Sequence, residues 1–143
     1  MIRTLLLIMI TTSLSLAGCN TTTNPSTEEE KQAVQSAGIE RVSSDKFEKM
    51  ILRHGEAVQL LDVRTPEEYA GGCLENARNI DYYDPDFKNK VAELKKDEPV
   101  FIYCAVGGRS AAAAKVLQEQ GFTWVIDLAG GITDWKRSGR SVK

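Results

Sequence analysis

Residues 100–111 read VFIYCAVGGRSA, and the architecture of the chain is clearest in this stretch. Four apolar residues run directly into Cys104, two glycines and Arg109 follow, and Ser110 then opens an alanine-rich segment. A short apolar run predicts a buried strand, and a serine before a run of alanines predicts the start of a helix. The pattern therefore predicts a strand, a tight loop and a helix N-terminus, with a cysteine where the strand ends.

The cysteine at this position is a candidate nucleophile. The loop would turn backbone N–H groups towards one point, and the helix dipole would add partial positive charge there. We expect Cys104 to be more acidic than a free thiol, and Arg109 to help hold it as a thiolate. Gly107 and Gly108 let the backbone close around the sulfur where a Cβ would clash. The alternative is a buried, inert cysteine, but the glycines and Arg109 favour a reactive anion site.

The composition indicates one domain and excludes several classes of partner. The chain has 143 residues, which suits one domain, and its formal charge of −2 argues against a nucleic-acid-binding surface. It contains a single histidine, His54, and no zinc-type cysteine pair, so the sequence indicates neither a metal site nor a cofactor. His54 directly precedes Gly55, which is typical of the C-terminal end of a helix.

Residues 1–18 have the layout of a secretory signal, with a short positive start and an apolar run that is too short for a membrane span. The segment LAGC at residues 16–19 resembles the bacterial lipoprotein box. This resemblance implies cleavage before Cys19, lipidation of Cys19 and attachment to a membrane of the cell envelope, with the protein facing the periplasm. Asn20 after the lipid site favours the outer membrane of a Gram-negative cell. An ordinary signal or an uncleaved anchor is the alternative.

A flexible tether is predicted for residues 19–38, which are rich in Thr, Ser and Glu and contain Pro25. The folded domain is predicted at residues 39–143. In this domain Thr65, Pro66 and Glu68 predict a helix start with a capping box.

Short apolar strand candidates alternate with helix candidates along the domain. The strand candidates are residues 39–42, 58–61, 77–80, 100–103 and 124–126, and the helix candidates begin near residues 43, 65, 84, 111 and 132. This alternation predicts an α/β domain whose mainly parallel, five-stranded sheet carries helices on both faces. Ligands of such sheets collect at the carboxyl ends of the strands, where Cys104 is placed.

With these residues laid out, the domain resembles the rhodanese-like family of sulfurtransferases. The resemblance covers residues 39–138 and depends on several separated motifs in order: LDVRTPEEY at residues 61–69, ARNI at residues 77–80, the Cys104 loop, and LAGGITDW at residues 128–135. It implies a rhodanese-like single domain. It also implies a cysteine that takes a sulfane sulfur from a small donor such as thiosulfate and passes it to a thiol or a cyanide-like acceptor.

The resemblance assigns roles to individual residues. It implies that Cys104 carries the sulfur as a persulfide, and that Ala105, Val106, Gly107, Gly108 and Arg109 cradle it. Asp62 and Arg64 match the polar pair that lies near this loop in the family, and with Ser110 they are the supporting residues. The alternative for Asp62 and Arg64 is a pair at a strand end that positions the loop and never touches substrate.

The segment around Cys73 departs from the family pattern. Many relatives have Gly-His-Ile before the strand at Ala77, whereas this chain has GCL at residues 72–74. Cys73 is a candidate resolving thiol, which would attack a Cys104 persulfide, release sulfide and form a Cys73–Cys104 disulfide. The alternative, which we favour, is that Cys73 is a small apolar filler.

Two other functions use the same residues. Phosphatases and arsenate reductases also place a cysteine and an arginine around an anion, but phosphatases have five residues between them and this loop has four. The shorter loop offers fewer backbone donors and suits a single sulfur atom better. The second alternative is a membrane-anchored sulfur-carrier or redox-binding module that holds the persulfide for a partner with little turnover of its own.

Overall fold

The structure is a computed structural model that describes residues 38–55 and 58–143. The predicted signal peptide at residues 1–18, the lipidation site Cys19 and nearly all of the predicted tether lie outside the described residues. The described strands are β1 (Gly38–Val42), β2 (Gln59–Asp62), β3 (Arg78–Asn79), β4 (Val100–Tyr103) and β5 (Trp124–Leu128). The described helices are α1 (Ser44–His54), α2 (Pro66–Ala70), α3 (Phe87–Ala92), α4 (Gly108–Glu119) and α5 (Gly131–Arg137).

The described strands form one sheet in the order β1-β5-β4-β2-β3. Every strand pair among the described residues is parallel, so the prediction of a mainly parallel, five-stranded sheet is confirmed. Strand β4 lies between β2 and β5, where Ile102 is paired with Leu61 on one side and Asp127 on the other. The strand that leads into Cys104 is therefore at the centre of the sheet, and all four of its residues are buried.

Alternation along β4 sends its side chains into two separate cores. Ile102 and Cys104 face one core, where α4 contributes Ala113 and Leu117. Phe101 and Tyr103 face the other core, where α1 contributes Phe47 and α5 contributes Trp135, and the rings of Phe47 and Phe101 pack edge to face at 5.4 Å. Helices therefore cover both faces of the sheet, as the alternation of elements predicts.

Several element boundaries differ from the sequence-based ones. Helix α4 begins at Gly108 and not at Ala111, because Gly107 takes the left-handed φ of 89° and serves as the N-cap. Ser110 consequently lies inside the first turn and is buried, where the sequence suggests that it opens the helix. Helix α3 begins at Phe87 and not at Asp84, whose carboxylate instead accepts a hydrogen bond from the Asp86 N–H in a preceding turn. Strand β5 runs two residues beyond Ile126.

Two further observations apply to the described residues alone. None of their helices combines the length and the apolar composition that crossing a bilayer demands. They also contain no cluster of His, Cys, Asp and Glu side chains that could hold a metal ion.

The predicted capping box at the start of α2 is present. Thr65 accepts a hydrogen bond from the Glu68 N–H at 3.3 Å, and the Glu68 carboxylate accepts one from the Thr65 N–H at 3.0 Å. Pro66 occupies the first helical position, where its missing N–H is no loss. By contrast, Ser43 caps α1 without a side-chain hydrogen bond.

The different caps of α2 and α1 predict different effects of removing Thr65 and Ser43. Thr65→Ala removes the acceptor for the Glu68 N–H and should lower the free energy of unfolding by about 1 kcal/mol, as loss of a helix cap does. The matched control is Ser43→Ala, which removes no side-chain cap and should change it by less than about 0.5 kcal/mol. Urea unfolding followed by circular dichroism measures both values. Equal losses in the two variants would contradict the role given to the box.

Candidate active site

Cys104 lies at the carboxyl end of β4, in the core that α4 covers. The residue is 1% exposed, and its side chain is a free thiol. The N–H of Gly107 donates a hydrogen bond to Sγ at 3.1 Å, because the loop turns back over the sulfur before α4 begins. The predicted strand, loop and helix start therefore bring backbone donors to the sulfur.

The surroundings of Cys104 shift its acidity in opposing directions. Burial raises the pKa of the thiol. The N–H of Gly107, which donates to the sulfur, and the nearby N–H and hydroxyl of Ser110 and N–H of Val106 lower this pKa and together outweigh the effect of burial. The net shift is downward, since these donors stabilise the anion more than burial penalises it.

The loop closes only because residue 107 is a glycine. Its φ of 89° is left-handed, and a Cβ there would lie 1.9 Å from the Ala129 carbonyl oxygen. Arg41 of β1 bridges the same two segments, donating to the Gly107 carbonyl at 3.1 Å and to the Ala129 carbonyl at 2.9 Å. Gly108, by contrast, has open space where a Cβ would stand, so the glycine pair is required at its first position only.

A second glycine pair holds the loop from the other side. Gly131, the first residue of α5, has a φ of 58°, and a Cβ there would lie 2.4 Å from the Cys104 carbonyl oxygen. The N–H groups of Ile132 and Thr133 donate to the carbonyls of Cys104 and Ala105 at 2.9 and 3.0 Å. The carbonyls of the loop are thus bound by α5, while its N–H groups remain turned towards the sulfur.

Arg109 does not hydrogen-bond the sulfur in this structure. Its two terminal nitrogens donate to the two carboxylate oxygens of Glu68 at 2.6 and 2.7 Å, and its guanidinium lies 5.6 Å from the ring centre of Tyr83. The hydrogen bond from Arg109 is the main reason that the pKa of Glu68 falls to about 2. The charge of Arg109 is therefore offset by a carboxylate, although Cys104 still lies within electrostatic reach of the guanidinium and contributes to the raised pKa of Arg109.

Glu68 is a residue of this site that sequence reasoning places only in a helix cap. Its carboxylate caps α2 and binds Arg109 at the same time, because Oε2 accepts hydrogen bonds from both the Thr65 N–H and Nη1 of Arg109. Arg41 is also absent from the sequence-based site. It reaches the loop from a strand 66 residues earlier, and no local motif marks it.

Asp62 and Arg64 lie on the face of the sheet opposite Cys104. Asp62 is fully buried beside the Tyr103 core, and its carboxylate accepts two hydrogen bonds at 3.0 Å from Nε of Arg64. Arg64 also donates to the Gly72 carbonyl at 2.8 Å. These contacts tie the end of β2 to the segment after α2, which favours the alternative of a positioning pair.

Cys73 is buried as well, with 4% of the residue exposed, and is a free thiol. Its backbone N–H and C=O pair with the C=O and N–H of Lys143. Its neighbour Leu74 packs in the Tyr103 core and donates its N–H to the Tyr103 hydroxyl at 3.0 Å. Cys104 belongs to the other core. This placement favours the filler reading of Cys73 over the resolving thiol.

The comparison with protein families identifies the class of the domain. Residues 43–138 match the family model described as the rhodanese-like domain. The chain belongs to the rhodanese-like family.

Individual relatives agree with this assignment. A protein named sulfurtransferase from Allochromatium vinosum is 39% identical over 84 residues, which cover 59% of this chain and 77% of that protein. The uncharacterised protein YqhL of Bacillus subtilis is 40% identical over 77 residues, which cover 54% of this chain but only 60% of YqhL. The family and its named sulfurtransferases support a sulfurtransferase function at the level of the family.

A solved structure agrees on the fold. The crystal structure of a rhodanese-like domain protein from Staphylococcus aureus superposes with a TM-score of 0.60 at 31% identity, covering 73% of this chain and 98% of that one.

Replacing Gly107 and replacing Gly108 should change the stability of the protein in different ways. Gly107→Ala should lower the free energy of unfolding by about 3 kcal/mol or more, because its Cβ meets the Ala129 carbonyl and its φ is left-handed. Gly108→Ala adds a good helix former in open space and should leave stability unchanged or raise it by up to about 1 kcal/mol. Urea unfolding measures both. Similar stabilities in the two variants would show that loop closure does not depend on residue 107.

Proposed function

We propose that the chain is a sulfurtransferase that moves a sulfane sulfur from a donor such as thiosulfate to a thiophilic acceptor through a persulfide on Cys104. The observation that carries the proposal is the buried thiol whose sulfur accepts a hydrogen bond from the Gly107 N–H at 3.1 Å and whose pKa is lowered by such donors. A thiolate is a good nucleophile towards sulfur, and a covalent intermediate divides the transfer into two easier steps.

In the first step the Cys104 thiolate attacks the outer sulfur of thiosulfate. The new sulfur–sulfur bond forms as the bond within thiosulfate breaks, and sulfite leaves with the bonding electron pair. Cys104 then carries an anionic persulfide, which the N–H groups of Val106, Gly107 and Ser110 can stabilise as they stabilise the thiolate.

In the second step the acceptor, cyanide or a thiolate, attacks the terminal sulfur of the persulfide. The bond to Cys104 breaks, and the cysteine returns as a thiolate. Neither step requires proton abstraction from a substrate, so the chemistry needs no histidine base.

The contacts of Arg109 argue against oxyanion chemistry of the phosphatase type. Such chemistry uses the arginine to bind a tetrahedral anion, whereas here the guanidinium is bound at both nitrogens by Glu68. The loop also has only four residues between Cys104 and Arg109. A single sulfur atom is the better fit for this site.

A sulfur-carrier module with little turnover is the second candidate, and the rim of the site favours it. Val106 and Tyr83 are 67% and 66% exposed, and Tyr83 lies beside Arg109, whose charge Glu68 offsets. An apolar rim next to a neutralised ion pair suits the surface of a partner protein. Measured turnover separates the two candidates, since an enzyme cycles with small substrates and a carrier transfers its sulfur only to its partner.

Cys104→Ser should abolish the transfer of sulfur from thiosulfate to cyanide, because a hydroxyl at that position forms no persulfide. Thiocyanate formation measures the transfer, and intact mass after thiosulfate should show a gain of one sulfur atom that cyanide reverses. Cys73→Ser is the matched control and should keep both signals, because Cys73 is a free thiol in a segment that pairs with Lys143 and whose next residue, Leu74, packs in the other core. Substantial activity in a folded Cys104→Ser protein would refute the catalytic assignment.

We further propose that residues 1–18 are a lipoprotein signal peptide and that Cys19 carries the lipid, with the domain facing the periplasm. The support is the sequence LAGC at residues 16–19 after an apolar run. The flexible tether that the sequence predicts at residues 19–38 would let the domain reach partners away from the membrane surface.

Cys19→Ser should move the protein out of the membrane fraction of a producing cell, because no acyl chains can be attached. Detergent phase partitioning and intact mass measure the effect. The wild-type chain should lack residues 1–18 and carry added lipid mass, while Cys73→Ser should behave like the wild type. Membrane attachment that survives Cys19→Ser would point to an uncleaved anchor.

A further inference from the structure

Two buried polar atoms on the Cys104 side of the sheet have no hydrogen-bond partner. They are Oγ of Ser110, a residue with 0% exposure, and Oδ1 of Asp127, a residue with 1% exposure. Buried polar groups are nearly always paired, and an exception at a reactive site points to a functional reason.

The strand register places Asp127 on the same face of the sheet as Cys104. Asp127 pairs with Ile102 across β5 and β4, and its neighbours Ile126 and Leu128 pack in the opposite core. Alternation therefore directs the Asp127 side chain into the core that contains Cys104 and the first turn of α4.

Ser110 lies close to both groups. Its hydroxyl acts on the Cys104 thiol and also on the Asp127 carboxyl, lowering the pKa of each. It is aligned well with neither, because its oxygen has no partner of good geometry at rest. A hydroxyl can donate one proton and accept another, so Ser110 can join the thiol to the carboxyl in either direction.

The charges facing Asp127 leave it only partly compensated. Arg41 of β1 approaches Oδ2 with its Nε at 3.5 Å, but its side chain is 49% exposed and also binds two carbonyls. Arg109, at the start of α4, is held by Glu68 of α2. Burial raises the pKa of Asp127, and Ser110 and Arg41 lower it by less than burial raises it. The carboxyl is therefore a better proton acceptor than an exposed aspartate.

We propose that Asp127 is a positioning residue that shares one proton with Cys104 through the Ser110 hydroxyl. The thiol proton passes to Ser110 Oγ as the Ser110 hydroxyl proton passes to the Asp127 carboxylate. Cys104 becomes a thiolate that accepts a hydrogen bond from Ser110, and Asp127 becomes a neutral acid that donates to Ser110. The net charge of the three groups is unchanged by the shift.

The use of this shared proton in catalysis rests on the proposed function. The proton stays on Asp127 while Cys104 attacks the donor and while the persulfide exists. It returns to the sulfur after the acceptor has released the thiolate. The buried site thus completes a transfer cycle without exchanging a proton with water.

The test is the pH dependence of alkylation at Cys104 in the full chain, with iodoacetamide as the probe and peptide mass spectrometry to separate the cysteines. Two groups that share a proton titrate as a pair, so the wild-type profile should show two inflections about one pH unit or more apart. Asp127→Asn keeps the shape but holds no transferable proton. Its profile should show a single inflection between the two wild-type ones.

Two serine variants test the route. Ser110→Ala should give a single inflection displaced to higher pH, since the thiolate loses a donor and no hydroxyl joins it to Asp127. Ser110→Thr keeps a hydroxyl and should retain both inflections. Asp97→Asn, at an exposed position, is the control and should match the wild type.

A single wild-type inflection, or two inflections that persist in Asp127→Asn, would overturn the proposal. If Asp127→Asn does not fold, Ser110→Ala and Ser110→Thr decide the outcome alone. Alkylation reports the thiol and not sulfur transfer. The test can therefore refute the shared proton while Cys104 still forms a persulfide. It can also support the shared proton in a protein that forms no persulfide.

Discussion

The packing of the Cys104 loop against the turn at residues 129–133 is the constraint on which the site depends. A bare Cα at Gly107 allows the approach to Ala129, and a bare Cα at Gly131 allows the approach to the Cys104 carbonyl. The turn binds the loop carbonyls through the N–H groups of Ile132 and Thr133. With its carbonyls bound outwards, the loop has its N–H groups left for the sulfur, and the acidity of Cys104 follows from that arrangement.

The parts of this architecture that depend on short-range chemistry could be predicted from the sequence. The apolar run at residues 100–103 identifies the central strand because burial on both faces demands it. Thr65, Pro66 and Glu68 identify the start of α2 because a capping box involves only residues within one turn. The position of Cys104 at a strand end follows from the same local pattern.

Contacts between distant segments could not be predicted in this way. Arg41 reaches the loop from β1, and the sequence around it resembles that of any exposed strand. Glu68 is visible as a cap, but its bond to Arg109 depends on how α2 and α4 meet in space. Asp127 could have been identified from the sequence, because it is an acidic residue within an otherwise apolar strand. The predicted strand ended at residue 126, so Asp127 was not included in it. The sequence-based expectation that Arg109 holds the Cys104 thiolate did not take into account that the Glu68 carboxylate competes for the guanidinium.

The ion pair between Arg109 and Glu68 has a consequence for how substrates arrive. A free arginine at the mouth of a site attracts anions from a distance, and dissolved salt weakens that attraction over about 10 Å at 0.1 M ionic strength. Here the Glu68 carboxylate is paired with the guanidinium and offsets its charge. Under the proposed function, capture of a donor would therefore depend on contact with the exposed residues Val106 and Tyr83. The rate constant of association would then be set by diffusion and by the fit of the surfaces, and it should depend little on ionic strength.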